Sequence, residues 1–184
     1  GVDVTTAVGG HGVVGLLKNG DGPVVMLRAD LDALPVTEQT GLAFSSTVQA
    51  GNEDGGEVGV MHACGHDGHT AMLLGAAQYL AETRNFDGTA VVIFQPAEEG
   101  GGGGKEMCDD GMMERWGIQE VYGMHNWPGM PVGSFAIRSG AFFAATDTFD
   151  IALEGLGGHA AKPSETIDTT VMASHLVLAL QTIA

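Results

Sequence analysis

The sequence predicts an α/β fold: a mostly parallel sheet with helices on both faces, followed by the start of an inserted α+β domain. Short apolar runs typical of buried strands alternate with segments of helical periodicity, and this order favours parallel strands. The pattern changes after Gly140, where apolar and polar residues begin to alternate with a period of two. We therefore expect an α/β domain over residues 1–140 and the beginning of a second domain over 141–184.

Three short apolar runs predict the strands of the first domain. They cover residues 24–27, 90–94 and 121–124, and Pro96 stops the second run. Candidate ligand side chains follow these runs closely: Asp30, Asp32, Glu98, Glu99 and His125. Because sheets of this class bind ligands beyond the carboxyl ends of their strands, we expect these side chains at one sheet edge.

Helical periodicity predicts two helices between these strands. The first begins at Gly68 and ends near Arg84, and one face of it is apolar. The second can span Lys105 to Trp116. The polar, glycine-rich segment from residue 40 to 59 predicts a surface loop.

The second domain is predicted to begin with a strand and a helix. Residues 148–154 alternate in the manner of a strand with one solvated face. A glycine-containing loop follows, and Asp168 is placed to cap a helix that continues to the end of the sequence.

The acidic composition excludes some classes of partner. The 184 residues carry a formal net charge of -16 with only 7 Lys and Arg, so nucleic acid and anionic membrane surfaces are disfavoured as partners. No apolar run approaches the roughly 18 residues that span a bilayer. The sequence opens without Met and closes inside a helical pattern, so we expect it to be an internal fragment.

Residues 61–69, Met-His-Ala-Cys-Gly-His-Asp-Gly-His, concentrate the side chains that bind borderline divalent metals. Cys64 and His66 are two residues apart, a spacing that lets both reach one site from a turn. His62 and His69 are weaker candidates, and for His69 a supporting hydrogen bond or helix capping is as plausible as ligation. A reduced ligand cysteine also favours a reducing, cytoplasmic compartment.

A pair of carboxylates supplies what a hydrolytic metal site needs. If Glu99 binds the metal, Glu98 can accept a proton from the attacking water, or the roles can be exchanged. His125 is either a further ligand or a core histidine, and Asp32 suits a carboxylate that orients a ligand imidazole. Together these residues predict a metallohydrolase.

Two other chemistries are excluded by motif. The glycine run before Lys105 lacks the first Gly of a phosphate loop and the Ser or Thr after its Lys. The sequence contains no G-x-S-x-G nucleophile elbow. Cys108 has no base beside it, and we expect it to serve packing.

Five motifs occur along the sequence: RADLDALPV (28–36), MHACGHDGHT (61–70), FQPAEEGGGG (94–103), GMHNWPGMPVGSFAIRSG (123–140) and GGHAAKPSETIDT (157–169). They resemble the M20 peptidase family, most closely its amidohydrolase branch. That branch includes hippurate hydrolases, N-acyl-amino-acid amidohydrolases, N-acetyldiaminopimelate deacetylases and auxin-conjugate hydrolases.

The resemblance implies a catalytic domain with two divalent metal ions and an inserted lid domain through which the full-length protein forms a homodimer. It implies the metal ligands Cys64, His66, Glu99 and His125. Glu98 would be the general base and acid, and His159 of the lid would polarise the scissile carbonyl. The family uses one more histidine ligand near its C-terminus that this sequence lacks, so we expect the fragment alone to be inactive.

The resulting hypothesis is hydrolysis of the amide bond of an N-acyl amino acid by metal-activated water. The donor set leaves Zn²⁺, Mn²⁺, Co²⁺ and Ni²⁺ open. Alternatives are a catalytically silent relative that binds metal or ligand, an aminopeptidase or carboxypeptidase of the same family, and a structural zinc site. Structural zinc sites are typically closed and rich in Cys, whereas this one has a single Cys and a spare carboxylate.

Overall fold

The computed structural model of the chain describes residues 1–52 and 54–183. Its strands are β1 Asp3–Val8, β2 Gly12–Asn19, β3 Val24–Asp30, β4 Gln49–Gly51, β5 Glu57–Gly59, β6 Gly88–Gln95 and β7 Glu120–Gly123. Its α-helices are α1 His66–Thr83, α2 Gly103–Asp109, α3 Met112–Trp116 and α4 Thr169–Leu180. No helix within these described ranges is long and apolar enough to cross a membrane.

The chain divides into two compact units, Gly1–Pro131 and Val132–Ala184. The first unit contains all of the strands and the first three helices. The second contains a short 3₁₀ turn at Pro163–Glu165 and helix α4. The assignment of residues 1–140 to a catalytic domain and 141–184 to a lid domain stays a prediction.

The main sheet of the first unit has the strand order β1-β2-β6-β3-β7. Strands β6, β3 and β7 run parallel, so their carboxyl ends meet at one edge. The hairpin β1–β2 joins the other side of β6 in antiparallel fashion. The predicted α/β class is therefore confirmed, with the parallel strands carrying the ends at which the candidate ligands lie.

Strand β6 shows why helices cover both faces of this sheet. Its consecutive side chains point to opposite sides, and both sides are apolar. Val91 and Ile93 pack with the methionines of α2 and α3, Met107 and Met112. On the other face, the sheet residues pack against α1: Leu17, Ala29, Ala90 and Val92 contact Leu73 and its neighbours.

Some elements of the first unit differ from the prediction. The predicted helix 105–116 is two helices, α2 and α3, because Gly111 adopts a left-handed φ of 79° between them. The predicted loop 40–59 contains the short hairpin β4–β5. Strand β2 was not predicted, since glycines interrupt its apolar run and hide the pattern.

The second unit confirms the predicted start of its helix, which ends at Leu180 rather than at the end of the sequence, but it does not confirm its predicted strand. Asp168 caps α4 by accepting a hydrogen bond from the Thr170 backbone N–H at 2.8 Å. The predicted strand at residues 148–154 is wrong: the described residues there pair with no strand, and only the bridge between Leu156 and Ile167 follows. An alternation of apolar and polar residues produces a strand only where a neighbouring strand is available to pair with it.

Candidate metal centre

The candidate ligands lie at the carboxyl edge of the three parallel strands. Asp30 ends β3, and Asp32 follows it after one residue. Glu98 and Glu99 follow β6, while His125 follows β7. Cys64 and His66 stand at the start of α1, which packs against β3. The fold therefore gathers ligand-type side chains from four separate segments.

His66 is the buried centre of this group, with 1% of its surface exposed. Its Nδ1 donates to the backbone carbonyl of Asp32 at 2.9 Å and lies 3.1 Å from the Asp32 carboxylate. Since Nδ1 carries the proton, the lone pair of the neutral ring resides on Nε2. No described residue forms a hydrogen bond with this buried Nε2 atom.

Three carboxylates surround that nitrogen. Nε2 lies 3.7 Å from Asp30, 3.8 Å from Glu98 and 3.7 Å from Glu99, all beyond hydrogen-bond reach. A lone pair facing carboxylates is an unfavourable arrangement in a buried place, and a cation among them removes the repulsion. The orphaned Nε2 therefore fits a metal ligand.

Cys64 and His125 form the other side of the group. The Sγ atom of Cys64 lies 3.5 Å from Nε2 of His125. One ligand atom from each of Cys64, His66 and His125 falls within 4.8 Å of the others, and the same holds for His66, Glu98 and Glu99. This mixed sulfur, nitrogen and oxygen set suits borderline divalent ions.

Burial raises the pKa of the Cys64 thiol, and the nearby carboxylates of Glu99 and Glu98 raise it further. The thiolate is thus disfavoured by the same negative groups that would attract a metal ion. A bound divalent cation reverses this balance, because metal ligation requires and stabilises the thiolate.

Asp32 holds two parts of the site in place. One carboxylate oxygen faces His66, and the other accepts a hydrogen bond from the Glu99 backbone N–H at 3.0 Å. Burial would raise the pKa of Asp32, but the hydrogen bonds from the Glu99 and Glu98 backbone outweigh it and hold the pKa below its usual value. This ionised carboxylate fixes the His66 tautomer and links the His66 ring to the glutamate turn.

The two glutamates share a tight turn after β6. Ala97, directly before them, adopts a left-handed φ of 51°, which is strained for a residue with a Cβ. The Glu98 side chain is 42% exposed and that of Glu99 is 26% exposed. Glu98 is therefore the more solvent-accessible carboxylate beside the ligand group.

The remaining residues singled out from the sequence lie outside the two ligand groups described above, although His69 borders them and forms a third candidate group with Asp30 and His66. His62 and Asp67 are exposed. His69 is buried, and both of its ring nitrogens contact protein groups, Asp30 and Asn126. His159 belongs to the second unit, where its Nδ1 accepts a hydrogen bond from the Ala161 backbone at 3.1 Å. The prediction that Cys108 serves packing is wrong, because that cysteine is exposed.

Sequence reasoning named Asp30 as a strand-end residue but gave it no role, and it missed Asn126. Asp30 is 1% exposed and contacts Arg28, His66 and His69. The three-residue spacing of His66 and His69, which puts both on one side of a helical turn, could have indicated a shared neighbour. Nothing in the sequence pattern singles out Asn126.

A parallel-strand edge that gathers Cys, His and paired carboxylates defines the framework of a metal-dependent hydrolase. The sequence profile of Peptidase family M20/M25/M40 matches residues 26–183, and the chain belongs to this family. The resemblance drawn from the motifs is thereby confirmed.

Known relatives agree with this assignment. A hippurate hydrolase of Campylobacter jejuni is 45% identical over 100% of this chain and 45% of its own length. An N-acetyl-L-cysteine deacetylase of Bacillus subtilis is 45% identical over 89% of this chain and 37% of its own length. The chain thus spans less than half of these relatives.

A solved structure supports the fold. A dinuclear metal-binding peptidase of the M20 family from Bacillus subtilis is 41% identical, with a TM-score of 0.63 over 72% of this chain and 35% of that one. The name of that neighbour records two metal ions, and the chain described here has groups of side chains that could hold such ions.

Proposed function

We propose that the full-length protein is a metal-dependent amidohydrolase that cleaves the amide bond of N-acyl amino acids. The observation that carries the proposal is the buried Nε2 of His66, which has no hydrogen-bond partner among the described residues and faces Glu98 and Glu99. These three residues place two metal ligands, His66 and Glu99, beside a further carboxylate, Glu98, that is free for proton transfer.

The proposed ligands are Cys64, His66, Glu99 and His125, completed by at least one residue outside this sequence. Two divalent ions would be held, of which Zn²⁺, Mn²⁺, Co²⁺ and Ni²⁺ all suit the donor set. When bound, such ions lower the pKa of a coordinated water and polarise a carbonyl oxygen.

Glu98 is the proposed proton carrier. It lies beside the ligand group, and 42% of its side chain remains open to solvent and thus to a substrate. It would accept the proton of the attacking water as the new carbon–oxygen bond forms. It would then deliver that proton to the amide nitrogen as the carbon–nitrogen bond breaks, releasing a free amine and a carboxylic acid.

The names of the relatives support the substrate class. Hippurate and N-acetyl-L-cysteine, which appear in the names of two relatives, are both amino acids acylated at nitrogen.

We further propose that His159 stabilises the oxyanion of the scissile carbonyl. Residues 141–184 would begin a lid domain through which the full-length protein forms a homodimer. A reduced Cys64 ligand favours the cytoplasm.

Replacement of Glu98 tests the proposal. In the full-length protein, Glu98→Gln should retain the wild-type metal content, while turnover of a panel of N-acyl amino acids falls by about 10²–10⁴-fold. Glu114→Gln, on the exposed surface of α3, is the matched control and should retain turnover. Near-normal turnover by Glu98→Gln would remove Glu98 from the mechanism, and a wild-type protein that cleaves none of the panel would overturn the proposed substrate class.

A further inference from the structure

A buried aspartate–histidine pair lies directly behind the candidate ligands. Asp30 is 1% exposed and His69 is 3% exposed. The His69 Nδ1 atom donates to a carboxylate oxygen of Asp30 at 2.6 Å. Since the acceptor is a carboxylate, this contact assigns the ring proton of a neutral His69 to Nδ1 and leaves Nε2 as an acceptor.

The accepting Nε2 of His69 is directed at Asn126. The Asn126 backbone N–H donates to it at 3.0 Å, whereas Oδ1 of the Asn126 side chain lies 2.8 Å from the same nitrogen in a contact between two acceptors that adds no hydrogen bond. Both nitrogens of His69 are thus occupied by protein groups. His69 therefore holds Asn126 in place and does not coordinate a metal in this arrangement.

Asn126 contacts both segments that carry the candidate ligands. Its backbone carbonyl lies 2.6 Å from Nδ1 of the preceding residue, His125. Its side-chain amide rests against Gly65, where a Cβ atom would lie 2.3 Å from the Asn126 Nδ2 atom. Gly65 separates Cys64 from His66 in the chain, so the contact joins the two ligand-bearing turns.

The guanidinium group of Arg28 fixes the Asp30 end of this chain of contacts. Arg28 Nη1 donates to the second oxygen of Asp30 at 2.9 Å, and Arg28 Nε donates to Gln95 at 2.9 Å. Each Asp30 oxygen therefore has a protein donor, one from β3 and one from α1. Loss of either donor would leave a buried oxygen of Asp30 unpaired, so these two bonds hold Asp30 rigidly.

We propose that Asp30, His69 and Asn126 form a positioning relay that sets the distance between the turn of His125 and the turn of Cys64 and His66. This inference rests on the proposed metal centre and assigns three residues that take no part in ligation or proton transfer. Removing the relay would leave the ligand residues present but poorly placed relative to one another.

The test uses Co²⁺ as the probe in the full-length protein stripped of metal. His69→Ala and Asn126→Ala should each weaken Co²⁺ binding by about 10–100-fold, as loss of outer hydrogen-bond partners does at other metal sites. The visible absorption of the bound Co²⁺ should also shift, because ligand geometry sets that spectrum. His69→Gln, which keeps a hydrogen-bonding group, should recover part of both losses.

The controls separate this relay from general damage. His11→Ala, at an exposed turn of the first unit, should leave affinity and spectrum unchanged. Asn126 is itself exposed, so its truncation tests the relay even if His69→Ala fails to fold. Wild-type affinity and an unshifted spectrum in Asn126→Ala and in any folded His69→Ala would overturn the proposal.

A second readout is independent of metal. In the metal-free protein, loss of the His69 contact should speed amide hydrogen exchange over residues 124–127 by about tenfold. If the wild-type protein bound no Co²⁺, the proposal of a metal centre would be wrong. The hydrogen-exchange measurement would still test the relay, because it needs no bound metal. Unchanged exchange at these residues in both His69→Gln and His69→Ala would refute it.

Discussion

The Nε2 atom of His66 lies 3.7 Å from the Glu99 carboxylate, while Asp32 holds the opposite side of the same ring. This relationship directs the lone pair of a buried ring nitrogen toward a negative group. Such an arrangement is costly in a metal-free protein and favourable around a cation. The energetic conflict at one ring atom therefore argues for a metal more strongly than the presence of ligand-type residues alone.

Replacement of His66 should weaken metal binding strongly while the protein remains folded. In the full-length protein, His66→Ala should weaken metal affinity by at least about 100-fold, since loss of an outer partner alone costs about 10–100-fold. Metal titration followed by elemental analysis measures this change. His11→Ala serves as the matched histidine control, and an unaltered metal stoichiometry in His66→Ala would contradict the ligand assignment.

Asp32 should make the protein sensitive to acid. Its folded-state pKa is lowered, so its contribution to stability is present above the unfolded pKa of about 3.9 and is lost as pH falls through the lower folded value. Asp32→Asn should reduce the free energy of unfolding by about 1.5–3 kcal/mol at pH 7. The difference from wild type should shrink on acidification below about pH 4.

Urea unfolding of the full-length protein at several pH values checks this prediction. Asp21→Asn, an exposed aspartate in the turn before β3, should change stability by less than about 0.5 kcal/mol. A difference between Asp32→Asn and wild type that stays constant from pH 7 to pH 3 would show that the Asp32 charge is not what stabilises the fold.

Sequence alone located the parallel strands because each is an apolar run with a sharp polar end. The side chains beyond those ends, such as Glu99 and His125, could be assigned to one edge by the same logic. The hairpin β1–β2 escaped because its glycines and polar residues break the apolar pattern. The relay through Asn126 could not be predicted from the sequence. It depends on a contact between His69 and Asn126, which are 57 residues apart in the chain.

Cys64 should be a slow nucleophile when the metal is removed. Burial and the neighbouring glutamates raise the pKa of its thiol, so alkylation by iodoacetamide should show an apparent pKa above the ordinary value of about 8.5. The experiment uses the metal-free full-length protein with its other cysteines replaced by serine. Added Zn²⁺ should then protect Cys64 from alkylation, because it binds the thiolate directly.

The same shift has a consequence for stability. Because the pKa of the Cys64 thiol is higher in the folded than in the unfolded state, its contribution to stability is fully present below the unfolded-state pKa. That contribution is lost as pH rises through the folded-state pKa. Metal-free protein should therefore lose stability in the alkaline range, and Cys64→Ser should lose less of it. An alkylation profile with an apparent pKa at or below about 8.5 would contradict the placement of Cys64 among carboxylates.

Two glycines of one motif should respond to alanine in opposite directions. Gly65 has a φ of 91°, and a Cβ there would lie 2.3 Å from Asn126, so Gly65→Ala should destabilise the fold by about 1–3 kcal/mol and weaken metal binding. Gly68 lies inside α1, where an added Cβ atom would meet no atom of another described residue within 4 Å, so Gly68→Ala should stabilise the fold by about 0.5–1 kcal/mol.

The double variant Gly65→Ala with Asn126→Ala separates the two causes of the Gly65 effect. It should relieve the collision with the Asn126 side chain but keep the strain of the left-handed backbone, so part of the stability loss should remain. Thermal unfolding of Gly65→Ala, Gly68→Ala, Asn126→Ala and the double variant measures these differences. If Gly65→Ala were as stable as Gly68→Ala, the close contact between the turn of Cys64 and the turn of His125 would not exist in solution.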